Sequence, residues 1–439
     1  MRRDRMSGQS GAMKLASCFP QARAARSITR LALMLVMALA CIGVDCAYAE
    51  TEDYALLADT HLGLPWQPPY DEVEEALIWA TELGNLKAVC VAGDITDRGS
   101  PVSYGEWEFL CDSILGEVAH IQALGDHDTG KNGMYLDLDN TLTVANGYAY
   151  FKEMNGGSDT SYHEFEHANV MTVGGVKANG HSVITTSMLK TLNARLKKTA
   201  RQGKVAIVVC HYPYDSGSLN KRSKLMGILR SYPNVVYVSG DRHTYAEQAQ
   251  CQTVSPSCST TPYSRTGIKR TTKYSFKSIG VNAVCTARTG DYSYADHLSI
   301  SDDGLMSLEK WNLSTGTVDK TWSFKQAKSS VTVKAAPTTK RYPKSAKLTF
   351  RVTFSDGKTY GGVKSGATFK VKAGKSKRFS NIPSGVLVSV KSVKVPSRWT
   401  KPKAQSVEVG KSAKTLRMKA SYKASKSAKK TKASKLRAS

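Results

Sequence analysis

The chain has 439 residues, which is enough for a large core and for more than one domain. Its formal net charge is +26, but residues 1–49 carry 7 basic and 2 acidic residues, residues 50–324 carry 24 and 32, and residues 325–439 carry 31 and 2. The middle segment is therefore mildly acidic, which excludes it as the source of the positive charge, and the C-terminal segment is a polycation.

The first 49 residues are typical of an export signal. Arginines up to Arg30 precede an uncharged apolar run at residues 31–44, which is followed by Ala47-Tyr48-Ala49, a small-residue cleavage site. The apolar run is too short to span a bilayer comfortably. We therefore expect residues 1–49 to be a cleaved signal peptide; an uncleaved anchor is the alternative.

From Glu50 onward, apolar runs alternate with amphipathic helical stretches. Such alternation favours an α/β layered fold. The predicted strands are 54–58, 88–92, 118–124, 205–209 and 235–238, and the predicted helices are 73–83, 104–115, 187–202 and 223–230. Residues 246–324 are predicted to be mainly β and to extend the sheet, with strands at 274–279, 283–288, 297–300 and 305–321.

Five strand ends are followed by residues that commonly bind metals. They are Asp59-Thr-His61, Gly93-Asp94-Ile-Thr-Asp97, Gly125-Asp126-His127-Asp128, His211, and Gly240-Asp241-Arg242-His243. A single Asp or His at a strand end is usually a solvated loop residue. Five such ends in this order indicate a site at the carboxyl edge of the sheet, organised around Asp94.

The order D-x-H, G-D-x-x-D, G-N-H-D/E, a lone His and G-H-x-H resembles the motif series of the calcineurin-like metallophosphoesterases, over residues 52–245. The resemblance implies a four-layer α-β-β-α sandwich, with two mixed sheets between helices and two divalent metal ions at one edge. By this resemblance the first metal would be held by Asp59, His61, Asp94 and His243. The second would be held by Asp94, Asp126, His211 and Asp241.

The resemblance also implies a reaction. Two ions roughly 3.5 Å apart would activate a bridging hydroxide, which would attack the phosphorus of a phosphate mono- or diester. His127 would protonate the leaving oxygen as general acid. By similarity, Asp97 would orient His127 and Arg98 would hold a phosphate oxygen; an ordinary surface ion pair is an equally good interpretation of Asp97 and Arg98.

Two positions depart from the family pattern. Asp126 replaces the family's Asn, and Asp241 replaces the first His of G-H-x-H. Four carboxylates then face two divalent ions, so the formal charges cancel where the usual ligand pair leaves about +2. Oxygen ligands favour Mn or Mg, and Mn is preferred here, with Mg, Fe and Zn also compatible. The alternative is a catalytically attenuated fold that serves as a cell-surface binding module.

Two further patterns have weaker functional interpretations. His163-Glu-Phe-Glu-His167 matches the zinc-protease motif, but its surroundings predict a strand pair, which would separate the two histidines by roughly 13 Å. Cys90, Cys111, Cys210 and Cys285 lie in apolar runs and are expected to be core residues. Cys251 and Cys258 flank a short loop, where a local disulfide is plausible in an oxidising compartment.

The C-terminal segment contains short alternating strands with glycine turns, which predict a small all-β sandwich at residues 326–418 after an α/β domain at 50–325. Its turn pattern around 340–400 loosely resembles the B-type repeat domains of Gram-positive surface adhesins. Residues 419–439 are Lys, Ser and Ala and are predicted to be a disordered basic tail.

The charge of this region predicts binding to a polyanion. For an exported protein, an anionic cell-wall polymer or membrane surface is expected, without specific nucleic-acid recognition because the tail lacks interleaved aromatic residues. A merely solubilising tail is the alternative. The combined hypothesis is an exported phosphoesterase, secreted or attached to the surface of a bacterium of Gram-positive type.

Overall fold

The computed structural model describes residues 50–63, 69–129, 144–175, 183–214, 216–241, 243, 277–281, 283–285 and 293–424. The described α-helices are α1 (Tyr70–Thr81), α2 (Pro101–Leu110), α3 (Val144–Met154), α4 (Thr186–Arg201) and α5 (Arg222–Arg230). The strands of the first part are β1 (Thr51–Leu57), β2 (Leu86–Val91), β3 (Ala119–Gln122), β4 (Tyr162–Glu164), β5 (Ala168–Thr172), β6 (Val205–Val209), β7 (Val235–Ser239), β8 (Lys277–Gly280), β9 (Tyr294–Ser301), β10 (Leu305–Asn312) and β11 (Thr317–Lys325).

The strands form two mixed sheets. The first has the order β11-β10-β9-β1-β2-β3, and the second has the order β4-β5-β6-β7-β8. Strands β1 to β3 are parallel to one another, and so are β5 to β8. The remaining pairings are antiparallel.

Three apolar clusters explain how these sheets pack. One cluster contains residues of both sheets, such as Tyr54 and Ile207, and lies between them. Alternate residues, such as Leu57 on the first sheet and Val208 on the second, pack instead against helices. Because both faces of the central strands β1, β2, β5, β6 and β7 are buried, these strands are continuous apolar runs rather than alternating ones. The predicted four-layer α-β-β-α sandwich is confirmed.

The C-terminal region is rich in strands. They are β12 (Lys328–Pro337), β13 (Lys347–Phe354), β14 (Thr359–Tyr360), β15 (Val363–Lys364), β16 (Thr368–Lys372), β17 (Ser376–Pro383), β18 (Leu387–Lys394), β19 (Gln405–Glu408) and β20 (Lys414–Ala420). Sheets of order β17-β12-β20 and β16-β13-β18-β19 enclose a core that includes Phe350, Phe354 and Phe379, and β14 pairs with β15. The predicted β-sandwich after the α/β domain is confirmed.

The boundary predicted at residue 418 is wrong. Strand β20 continues to Ala420, whose side chain is buried, and Tyr422 forms a bridge and a ring contact with Trp399. Residues 419–424 therefore fold with the sandwich, because the alternation of Leu416, Met418 and Ala420 continues into the Lys-rich stretch. Residues 425–439, the predicted signal at 1–49, and Cys251 and Cys258 lie outside the described residues.

The β-sandwich packs against one end of the second sheet. Gln326 Nε2 donates to Gly203 O at 2.7 Å, and Ala327 N donates to Asn234 Oδ1 at 2.6 Å. Gly203 lies two residues before β6, and Asn234 immediately precedes β7. The sandwich is thus attached at the amino ends of these parallel strands, at the edge opposite their carboxyl ends.

Three smaller observations complete the fold. All four cysteines expected in the core, at positions 90, 111, 210 and 285, are buried. The strand predicted at 283–288 is not present in its described part: Val284 N donates to Ala58 O at 3.0 Å, and the segment crosses the end of β1 as a loop. Within the described residues, every helix is too short or too polar to cross a bilayer.

Candidate dinuclear metal centre

The residues that follow β1, β2 and β7 have an unusual backbone. Asp59, His61, Asp94, Asp241 and His243 all have positive φ values, between 39° and 71°. This left-handed conformation costs a non-glycine residue about 1–3 kcal/mol and is concentrated at functional sites. Backbone hydrogen bonds hold it: Asp59 N donates to Gly93 O and His61 N donates to Asp94 O, both at 3.0 Å.

One group of side chains comprises Asp59, His61, Asp94 and His243. Their ligand atoms all lie within 4.8 Å of one another. The two histidines approach through their Nε2 atoms, 3.2 Å apart, and Nε2 of His243 lies 3.1 Å from Oδ1 of Asp59. These are the four residues expected around the first metal.

A second group comprises Asp94, Asp126 and His211. Nε2 of His211 lies 3.3 Å from Oδ1 of Asp126 and 3.4 Å from Oδ2 of Asp94. Asp241 is adjacent, with Oδ1 at 3.7 Å from the same nitrogen. Asp94 belongs to both groups, since its Oδ2 also faces Nε2 of His61 at 3.9 Å.

The chemistry of these donors fits two divalent ions. His211 Nδ1 donates to Ala92 O at 2.9 Å, so its Nε2 presents a lone pair towards the carboxylates. Nδ1 of His61 faces Oδ1 of Asp97 at 3.4 Å. A carbonyl or carboxylate beside the ring nitrogen that does not bind the metal is the usual support of a metal-binding histidine. Buried imidazoles and carboxylates with converging lone pairs are a suitable environment for cations.

Asp97, Arg98 and His127 lie beside the first group. Nδ1 of His127 donates to Asp97 O at 3.0 Å and lies 3.3 Å from Oδ1 of the Asp97 carboxylate. Nε of Arg98 lies 3.6 Å from Oδ2 of Asp97. Asp97 thus contacts two imidazoles, those of His61 and His127. Its contact with His61 was not predicted from the sequence.

Burial and charge shift the pKa values of several of these groups. Burial lowers the pKa of His127, but the hydrogen bond with Asp97 and the charge of Asp94 outweigh burial and raise it to about 9. Bound cations would oppose this rise. Burial also raises the pKa of Asp241 to about 7, with further contributions from the neighbouring carboxylates Asp59 and Asp94.

Asp128 has a structural role that the sequence did not reveal. Its carboxylate is fully buried and accepts hydrogen bonds from Thr96 N at 2.9 Å and Gly125 N at 2.8 Å. Its backbone carbonyl accepts a bond from the Tyr104 hydroxyl at 2.7 Å. Asp128 therefore fastens the loop after β2 to the loop after β3. The sequence feature that could have indicated this role is the position of Asp128 in the third motif.

The zinc-protease pattern does not lie on a helix. His163 lies on β4, while His167 lies in the turn before β5, with Nε2 at 3.2 Å from Glu50 O. No described cluster of potential metal ligands includes either histidine. Arg242, the remaining residue of the fifth motif, lies outside the described residues.

Comparison with known proteins agrees with this site. Residues 54–245 match the family model for calcineurin-like phosphoesterases. The chain therefore carries a calcineurin-like phosphoesterase domain. Domains of this family define a class of metal-dependent phosphoric ester hydrolases. The match includes every residue that the sequence assigned to the two metals. No curated protein matches the chain.

Similar solved structures are distant. A purple acid phosphatase from yellow lupin seeds is 14% identical, with a TM-score of 0.43, and the similarity covers 63% of this chain and 54% of that one. The NAD nucleotidase of Haemophilus influenzae is also 14% identical, with a TM-score of 0.32 over 62% and 54%. The major pilin T-13 of Streptococcus pyogenes is 10% identical, with a TM-score of 0.20 over 30% and 67%. This chain spans about half the length of the first two proteins.

Proposed function

We propose that this protein hydrolyses a phosphate mono- or diester at a centre of two divalent metal ions. The observation that carries the proposal is the position of Asp94, which belongs to both ligand groups. A carboxylate shared in this way has two oxygens and could bridge two adjacent ions. When bound, the ions supply Lewis acidity to the phosphoryl oxygens and lower the pKa of water.

The residues of the chain hold and orient this centre. Asp59, His61 and His243 would hold one ion together with Asp94, and Asp126, His211 and Asp241 would hold the other. Oδ1 of Asp94 accepts a hydrogen bond from His127 N at 3.0 Å, which leaves Oδ2 facing both groups. The carboxylate is therefore held in the orientation that serves both sides.

His127 is the proposed general acid. Its Nδ1 faces Asp97, so the proton given to the leaving oxygen would be carried on Nε2. The Asp97 carboxylate stabilises the protonated imidazole, which keeps the proton available at neutral pH. Arg98, beside Asp97, is proposed to hold a phosphate oxygen.

Mn²⁺ is the proposed metal. The ligand set assigned to the second ion contains three carboxylates, Asp94, Asp126 and Asp241, and one imidazole. Carboxylate oxygens favour harder ions over the softer ones that imidazole and thiolate select. Metal analysis of the purified protein after incubation with equal concentrations of Mn²⁺, Zn²⁺ and Mg²⁺ tests this preference.

The function is tested by assaying the purified protein with Mn²⁺ on p-nitrophenyl phosphate and bis(p-nitrophenyl) phosphate. Asp94→Asn should abolish hydrolysis and reduce the bound metal, while Asp319→Asn, the same change at an exposed position on β11, should leave both unchanged. If the wild-type protein binds two ions but hydrolyses neither ester, the catalytically attenuated binding module is the better hypothesis. Absence of metal binding would contradict the proposed hydrolysis.

We further propose that the protein is exported and that its basic C-terminal region binds an anionic polymer or membrane surface. The charge of +29 over residues 325–439 supports this, since such binding is electrostatic and weakens with salt. Edman sequencing of the protein from its native source tests whether the chain begins at Glu50. Cell fractionation at low and high salt tests surface retention.

A further inference from the structure

The outer face of the sheet β16-β13-β18-β19 concentrates positive charge. Its inner face packs into the sandwich core through residues such as Phe350 and Val390, so alternate side chains face outward. Six exposed cations lie on the outer side: Lys347, Arg351, Lys370, Lys372, Lys391 and Lys394. These six residues form the cationic face.

The register of the strands arranges the cationic face in three rows, each with two cations. The rows are Lys347 with Lys372, Lys370 with Lys394 across Thr349, and Arg351 with Lys391. Successive rows are roughly 7 Å apart, because alternate residues on a strand are separated by twice the rise per residue. A polymer that lies along the strands would therefore meet a pair of cations at each of three successive steps.

This arrangement is electrostatically unfavourable without a partner. Lys347 lies directly opposite Lys372, and Arg351 lies directly opposite Lys391. Like charges in such cross-strand positions destabilise a sheet. Among the described residues of these four strands, the one acid is Glu408, which lies at the far edge on β19, opposite Leu387. An anionic partner would remove the repulsion.

The side chains of the cationic face indicate the kind of anion. Five of the six are lysines, which bind phosphate as point charges without the fixed geometry of arginine. Between them lie hydroxyl side chains, including Thr349, Thr353 and Ser389. Proteins that bind single-stranded nucleic acid add aromatic side chains on which the bases stack, and this face has none among its described residues.

We infer that the cationic face binds a linear phosphodiester polymer without bases, aligned with the strands. This inference rests on the polyanion binding proposed above for the C-terminal region, and it assigns that binding to one face of the sandwich rather than to the tail. Three evenly spaced cation pairs match a chain that repeats one phosphate per unit.

The test uses the full chain with Asp94→Asn, so that hydrolysis cannot consume the probe. The probe is deacylated poly(glycerol phosphate), titrated at several salt concentrations. Replacing Lys347, Arg351 and Lys391 together by Thr should weaken binding at least tenfold. It should also lower the slope of log K against log salt by about 2, since each of the three lost charges contributes roughly 0.7. The matched control replaces Arg378, Lys414 and Arg417, three exposed cations of the other sheet, and should change affinity less than threefold.

Several results would overturn the inference. Equal weakening by the two triple variants would mean that only total charge matters. Loss of binding in a chain that ends at residue 424, with retained binding in the cationic-face variant, would assign the polymer to the tail. Binding to vesicles of anionic lipid but not to the polymer would make a membrane the partner. Because every measurement uses Asp94→Asn protein, failure of the proposed hydrolysis would not affect these outcomes.

Discussion

Oδ1 of Asp94 occupies the space that a Cβ atom would need at position 125: an ideal Cβ on Gly125 would lie 2.0 Å from that oxygen and 2.2 Å from Asp94 N. The glycine of the third motif is therefore required by the aspartate of the second. We predict that Gly125→Ala displaces Asp94 and lowers both bound metal and phosphoesterase activity at least a hundredfold, since one carboxylate serves both ligand groups. Metal analysis and steady-state kinetics measure the two effects.

The matched control is Gly105→Ala. Gly105 lies in α2, and a Cβ there has nothing within 4 Å. Alanine should raise stability by up to about 1 kcal/mol, because glycine is a poor helix residue, and should leave metal content unchanged. Normal metal content and activity in a folded Gly125→Ala protein would show that Asp94 does not hold the centre.

The position of His127 predicts a dependence on the leaving group. A general acid matters most when the departing oxygen is strongly basic, so His127→Ala should slow hydrolysis of an alkyl phosphate by about 10²–10⁴-fold. It should slow p-nitrophenyl phosphate much less, because p-nitrophenolate leaves without a proton. Comparing kcat for the two esters measures the difference.

The control for this experiment is His163→Ala, a histidine on β4 outside the described clusters of potential metal ligands. It should slow neither ester. If His127→Ala slows both esters by the same factor while metal content is normal, His127 binds substrate instead of protonating the leaving group.

The fold was largely predictable from the sequence. Both faces of the central strands are buried, so the strands are visible as apolar runs, and their ends are visible as the Gly, Asp and His residues that follow. Helix α3 was not predicted, because it contains Asn146-Gly147, a dipeptide typical of turns. The end of the sandwich was misplaced because the lysines of β20 resemble those of the tail.

The sequence led us to expect that the predicted metal ligands lie close together, but it did not predict the geometry of the site. The seven residues expected around the metals lie together because parallel strands end at one edge. The left-handed backbone of residues such as Asp59 could not be predicted, since it depends on hydrogen bonds to the loop after β2. The contact of Asp97 with His61 also depends on loop geometry that has no sequence pattern.

The carboxylates at positions 126 and 241 predict weak affinity for anions. With Asp59 and Asp94 they cancel the charge of two divalent ions, so removing one should restore attraction for phosphate. We predict that Asp126→Asn tightens inhibition by inorganic phosphate at least tenfold. Inhibition constants measured with Mn²⁺ at low salt provide the test.

Asp112→Asn, the same charge change at an exposed position, is the control and should alter inhibition less than twofold. A decrease in phosphate affinity in Asp126→Asn, with two ions still bound, would contradict the charge argument. Loss of one ion would instead identify the Asp126 carboxylate as an indispensable ligand.

His297 predicts how stability depends on pH. Its Nε2 lies 2.9 Å from Oδ1 of Asp53, and its Nδ1 lies 3.3 Å from Oε2 of Glu309. Burial lowers the pKa of His297, but these two partners outweigh burial and raise it. The stability contributed by the protonated ring is therefore complete below the unfolded pKa of about 6.5. This contribution is lost as pH rises through the folded pKa. His297→Gln should therefore destabilise the protein more at pH 6 than at pH 9, as measured by urea denaturation. The control is His120→Gln, which should not produce this difference because burial lowers the pKa of His120. An equal loss of stability by His297→Gln at both pH values would contradict a charged imidazole at position 297.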